Sequence, residues 1–211
     1  MLDVTLDNNC IIDLEQNNAI ASHLRKLIQM HCDHKINLRV VAISASERKP
    51  DQTYVSHFDE FKERINKIGL GDVKILETIA YVGLSFVGYC LVGGGALEEL
   101  ESEIQGILFP RIELCYSDFC KKRNLDPNDE KAWRKWTNIK CDVLALWSHV
   151  WYKGDIFVTT DKHFHKKTVK PRLVKLGAGK ILRPDEAVKL LASEEGSCKD
   201  KSEQIVSKAY V

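Results

Sequence analysis

The 211-residue chain lacks a charge of one sign: 31 Lys and Arg stand against 30 Asp and Glu, a formal net charge of +1. A protein that holds nucleic acid by its overall field is strongly basic, so any such contact here has to come from local patches. No CxxC pair exists among the seven cysteines (Cys10, Cys32, Cys90, Cys115, Cys120, Cys141 and Cys198), which leaves neither a zinc ribbon nor a thioredoxin motif. Scattered cysteines in odd number suit reduced thiols, and a cytoplasmic location is expected. No charged region followed by an apolar run opens the chain, so no secretory leader is expected. The most apolar stretch, 79–97, is broken by Gly83, Gly88 and Gly93-Gly94-Gly95 and bordered by Glu77 and Glu98-Glu99, which argues against a membrane span. The glycine triplet has no Lys-Ser/Thr after it and is therefore no phosphate loop. There is no internal repeat and no low-complexity tract.

What is present suits one folded α/β domain: 44% hydrophobic residues for a core and 29% charged residues for a solvated surface. Val4-Thr5-Leu6 is a short strand stopped at Asp7, and Ile20, Leu24, Leu27 and Ile28 follow at helical spacing. Residues 36–43, rich in β-branched side chains, form a second strand, and Pro50 closes the connection after it. Phe58, Phe61, Ile65 and Ile68 mark a helix that Gly69 stops, and 73–76 forms a further short strand. A long helix is expected over 130–152, a strand over 155–160 ending at Asp161, a last strand over 180–182, and a helix opened by Pro184-Asp185-Glu186. Alternation of strands and helices predicts a three-layer αβα fold with a central parallel sheet of four to five strands. The domain is expected over 1–192, with a helical insertion at about 71–129 and a polar tail over 193–211.

Ligands of such sheets bind beyond the carboxyl ends of the strands, where Asp7 and Asp161 both stand. Asp142 interrupts an apolar helix face, and a buried carboxylate without a partner is costly. Glu47 follows the second strand and reaches the same edge. Four converging acids repel one another unless cations neutralise them, and oxygen ligands of this kind suit Mg²⁺ or Mn²⁺. Such ions activate water and stabilise the leaving oxygen in phosphodiester cleavage. Taken singly, Asp7 also reads as a helix cap, Asp161 as a turn residue and Glu47 as solvated surface.

Three blocks together resemble the PIN-domain family: Val4-Thr5-Leu6-Asp7-Asn8-Asn9; Asp142-Val143-Leu144-Ala145-Leu146 with Asp155 through Phe164; and Gly179-Lys180-Ile181-Leu182-Arg183-Pro184-Asp185-Glu186. The resemblance implies a metal-dependent endoribonuclease in which Asp7, Asp142 and Asp161 bind Mg²⁺ or Mn²⁺ and RNA is the substrate. It places a further acid after the second strand, matched best by Glu47, with Glu60 and Glu63 as fallbacks. Thr159 would help position the site, Asn9 would orient Asp7 or cap the first helix, and Asp155 would hold the strand entry. Asn8 departs from the small hydroxyl residue common in the family. Relatives of this kind act as toxins, in RNA processing or in defence. The long 71–129 region is expected to form a substrate wall, a homodimer surface or a site for a protein partner.

Lys162, His163, His165, Lys166, Lys167, Lys170 and Arg172 follow Asp161 directly, so Lys162, Lys166 and Lys167 are candidate phosphate contacts as well as an ordinary solvated face. Trp147 and Trp151 suit core packing better than base stacking. His149 lies seven residues after Asp142 and is expected to be a satisfied histidine, and His31-Cys32-Asp33-His34 a solvated helix end. A catalytically inactive scaffold binding RNA or protein is the alternative reading. A phosphotransferase is disfavoured because Asp7-Asn8-Asn9 lacks a DxD arrangement.

Overall fold

The structure is a computed structural model, and it describes residues 1–193 except Arg48, Pro50 and Gln52. The turn expected at Pro50 and the tail expected beyond Ser193 lie outside the described residues. In chain order the elements are β1 (Leu2–Leu6), α1 (Asn8–Glu15), α2 (Ala21–Cys32), β2 (Ile36–Val41), a 3₁₀ turn (Ala42–Ser46), α3 (Phe58–Lys67) and β3 (Lys74–Leu76). They continue with β4 (Thr78–Ile79), β5 (Cys90–Leu91), α4 (Ala96–Leu108), α5 (Tyr116–Arg123), α6 (Glu130–Trp151), β6 (Ile156–Val158), α7 (Lys170–Lys175) and β7 (Lys180–Leu182). Residues 184–193 form a closing helix, α8.

Five parallel strands make the central sheet in the order β3-β2-β1-β6-β7. Period-two side-chain alternation divides the sheet's side chains between its two faces, each covered by its own core. Ile156 and Val158 of β6 join Val4, Leu6, Leu38 and Val40 in a core covered by α1, α2, α3 and α8. Phe157 points the other way, into a core with Val41, Leu76 and Ile181 that α4 to α7 cover. The expected three-layer αβα fold is therefore present, with five strands. The strand order reverses between β1 and β6, and a crevice for ligands opens at such a switch point.

Local chemistry explains several element ends. Asp7 caps α1, with its carboxylate accepting from the Asn8 amide, and Asp129 caps α6 by accepting from the Lys131 amide. Acids in the first turn of α3 (Asp59, Glu60) and bases in its last turn (Arg64, Lys67) complement its dipole. α6 ends with Lys153 left-handed at φ 51° and the Gly154 amide donating to the His149 carbonyl at 2.9 Å. A β-carbon at Gly154 would sit 2.3 Å from the His149 ring, so only glycine fits.

Residues 71–129, the region expected as a helical insertion, are not purely helical. Their first strand, β3, is the edge of the main sheet, and β4 pairs with β5 in a separate two-stranded parallel sheet before α4 and α5 begin. The apolar 79–97 stretch thus becomes strand, turn, strand and the first turn of a helix. No helix among the described residues is long and apolar enough to cross a membrane. A polar knot ties the insertion to α6. Lys140, 1% exposed, donates to Glu101 at 2.5 Å and Gln105 at 3.0 Å, and the Tyr81 hydroxyl donates to both Glu101 oxygens at 2.7 and 2.9 Å. The six described cysteines are unpaired.

Candidate functional site

β1 and β6 run side by side, Leu6 opposite Val158, so the next residue of each strand, Asp7 and Thr159, emerges at the same carboxyl edge. The Asp7 amide extends the ladder by donating to Val158 O at 3.0 Å. Its carboxylate, 2% exposed, accepts from Asn8 N at 2.8 Å, Asn9 Nδ2 at 3.2 Å and Thr159 Oγ1 at 2.7 Å. Thr159 is fully buried, and its hydroxyl also accepts from the Asp161 amide at 3.0 Å. One hydroxyl therefore joins the ends of two strands more than 150 residues apart in sequence. Asp161 closes its own turn by accepting from His163 N at 2.8 Å, and the His165 ring donates to Thr159 O at 3.0 Å.

The four expected acids share one electrostatic field. Burial pushes the Asp7 carboxyl above the ordinary carboxylate range and the Asp161 charge adds to it, while the Thr159, Asn8 and Asn9 hydrogen bonds pull it back. Burial, Asp7 and Asp161 carry Glu47 up to about 8, against the Asn8 amide and the Arg64 guanidinium. The Asn8 amide faces Glu47 closely enough to be felt, yet neither of its side-chain atoms reaches hydrogen-bond geometry with any described residue. Asp142 rises well above its usual range through burial, then through the charges of Glu47, Asp7 and Asp161, and it has no hydrogen bond among the described residues. The fallback acids have other neighbours: Glu60 accepts from Ser56 N at 2.8 Å and Lys49 Nζ at 3.1 Å, and Glu63 is exposed on α3. Among the described residues, no group of three or more His, Cys, Asp or Glu side chains is arranged as a ready metal-holding set. The acids feel one another's charge, but among the described residues they form no coordination shell.

The other expected residues fall into distinct places. Half-buried Asn9 and fully buried Thr159 both donate to Asp7 directly. Lys162, Lys166 and Lys167 are exposed on the loop that follows Asp161, and Lys166 Nζ lies 2.9 Å from His163 Nε2. Asp155 accepts from Asp3 N at 2.8 Å, which secures the entry to β6. His149 is a core residue: Nε2 donates to Ala178 O at 3.1 Å and Nδ1 accepts from Thr5 Oγ1 at 2.9 Å. Burial depresses its imidazole pKa to about 4. Trp147 is fully buried, stacked on Trp151 and donating to Leu97 O at 3.0 Å, so it packs rather than reads a base. His31 spends its ring on the backbone of β2, with Nδ1 near Ile36 O and Leu38 N.

Sequence reasoning missed Asp13. It sits on α1 and accepts from Thr160 Oγ1 at 3.1 Å, which fastens that helix to the end of β6 beside the acids. An acid inside Ile11-Ile12-Asp13-Leu14 was the available signal. Comparison with protein-family models, curated proteins and solved structures finds no match to this chain.

Proposed function

We propose that the chain is a divalent-metal-dependent endoribonuclease of the PIN-like kind, hydrolysing RNA phosphodiester bonds at Asp7, Glu47, Asp142 and Asp161. The observation that carries this reading is that three carboxylates, Asp7, Glu47 and Asp142, are held above their usual range by burial and by the charges of neighbouring acids, Asp161 among them, around the edge where the strand order reverses. Like charges that act on one another resist ionising together, and burying them is costly without a compensating cation. The donor set is all oxygen, the chemistry that Mg²⁺ or Mn²⁺ prefers, and the unpartnered Asn8 amide offers one more oxygen beside it. Bound there, such an ion supplies the positive charge that lets the acids ionise and that polarises water and phosphate. Thr159 and Asn9 hold the Asp7 carboxylate in one orientation, and the Thr159 hydroxyl also sets the backbone from which Asp161 projects. Lys162, Lys166 and Lys167 border this edge and provide charge for the phosphates that flank the scissile bond. RNA as the substrate, and the PIN-like assignment itself, rest on the resemblance of the three sequence blocks.

The test is cleavage of a labelled single-stranded oligoribonucleotide with Mn²⁺ or with chelator. Metal-dependent products from the wild type, lost in a folded Asp161→Asn variant, are expected. Equal products from both proteins would reject the role of the acids.

A second reading has its own observations. No finished metal-holding set is present among the described residues, and Val82, Val87 and Val92 of the insertion are at least 90% exposed. A non-catalytic scaffold that docks a protein or RNA through the insertion fits both, and it predicts a folded protein without divalent-ion affinity.

A further inference from the structure

A cleft of about 300 Å³ opens against the 3₁₀ turn that precedes Glu47, walled by Ser46, Gly83, Phe86, Trp133, Arg134 and Thr137 among others. Ser46 ends the 3₁₀ turn and leads straight into Glu47, and α6 supplies both the cleft wall and, about 7.5 Å further along its axis and on another face, Asp142. The cleft volume is at the low end for small-ligand sites, roughly 300–1,000 Å³.

Its wall contains a polar group with nothing to bond. Thr137 is 4% exposed, and its Oγ1 has no hydrogen-bond partner among the described residues. A helical threonine ordinarily gives its hydroxyl to the carbonyl one turn back, and a buried hydroxyl left unmade is destabilising. Beside it stand two flat apolar surfaces, Trp133 and Phe86. Gly83, left-handed at φ +80°, lies against the Trp133 ring, and a β-carbon there would fill the space 3.5 Å from the indole. Arg134 lies at the rim, paired to Glu130 at 2.6 Å.

From this geometry we infer that the cleft is a nucleobase pocket for single-stranded RNA, an inference that rests on the nuclease reading above. A base is flat, with edges that carry hydrogen-bond groups, and it stacks on aromatic rings with little regard to sequence. One buried hydroxyl at the wall adds a preference among bases, because an unmatched edge leaves that hydroxyl unsatisfied. The cleft's lining arginine, Arg134, is already paired with Glu130, and the rest of the lining is uncharged, which favours the uncharged base as the part of a nucleotide that enters while its phosphate stays outside.

The experiment measures binding of labelled rA, rC, rG and rU oligomers to the full chain in chelator, for wild type, Thr137→Val and Trp133→Leu. Wild type is expected to prefer one base. Thr137→Val should lose about fivefold or more for that base and flatten the preference, and Trp133→Leu should weaken all four by about tenfold. Circular dichroism melts establish folding, and the near-isosteric Thr137→Val carries the test alone if Trp133→Leu does not fold. Unchanged base preference in Thr137→Val, with Mn²⁺-dependent cleavage intact, overturns the pocket and leaves the nuclease reading standing. Absence of both RNA binding and cleavage in the wild type overturns both. Equal affinity for a free nucleoside monophosphate and an oligomer overturns the assignment to RNA.

Discussion

Replacing Thr159 by valine keeps the side chain's shape and deletes the hydroxyl that joins Asp7 to Asp161. The lost bond to a carboxylate is charge-assisted, about 1.5–3 kcal/mol net, and the part-buried Asp161 amide loses its acceptor for about 1 kcal/mol more. A combined loss of about 2–4 kcal/mol corresponds to a drop in Tm of about 5–15 °C for a chain of this size. Thr159→Ser is the control: it keeps the hydroxyl, sheds one methyl group, and should cost only about 1 kcal/mol. The effect also has a pH signature in metal-free buffer. The Asp7 pKa is raised in the folded state, so its contribution to stability is full at acid pH and is lost as pH rises through that folded value. Thr159→Val removes a bond that lowers this pKa, so its deficit should be largest near neutral pH and shrink as Asp7 protonates. Calorimetry on the three proteins over a pH series running from acid to 7.5 reads both effects. A Thr159→Val protein as stable as Thr159→Ser at pH 7.5 would refute the idea that this hydroxyl holds the acid.

Lys140→Met should destabilise by about 3–5 kcal/mol because Glu101 is left buried without its cation, and adding Glu101→Leu should recover much of that; urea titrations of the single and double variants measure it. His149 should remain neutral at pH 5, since its folded pKa is held down to about 4; the stability this supplies is complete above pH 6.5 and is lost as pH falls through 4, and ¹⁵N imidazole shifts showing a charged ring at pH 5 would contradict it. Charge removal at Lys166 and Lys167 should lower the slope of log affinity against log salt by about 1.4 for single-stranded RNA, and an unchanged slope would remove these lysines from the phosphate path.

The elements legible in the sequence were those whose pattern is local. Asp155-Ile156-Phe157-Val158 carries both its strand character and its ending within a few residues, and α6 repeats its apolar face through Trp136, Val143 and Leu146. The parallel sheet followed from the alternation of such segments. Asp7, Glu47, Asp142 and Asp161 were legible as acids at strand ends or on an apolar face, and the pairing of β1 with β6 explains why the strand ends that lead into Asp7 and Asp161 meet. Residues 71–129 were harder, because β4 and β5 are two residues each and exist only through pairing with one another. Lys140 has no warning in its neighbours; its partners come from α4, 35 and 39 residues away, and from Tyr81. The same holds for the contact between Asp13 and Thr160, and for the unpartnered Thr137 hydroxyl: both depend on what the chain brings alongside.

Anomalous diffraction from a crystal soaked in Mn²⁺ near pH 8 tests the central claim most directly. The account predicts a peak among the carboxylates of Asp7, Asp142 and Asp161, at about 2.0–2.2 Å from their oxygens, with Glu47 turned toward it, and no peak in Asp161→Asn. Well-ordered acids with no peak among them, or manganese bound only elsewhere on the molecule, would contradict it.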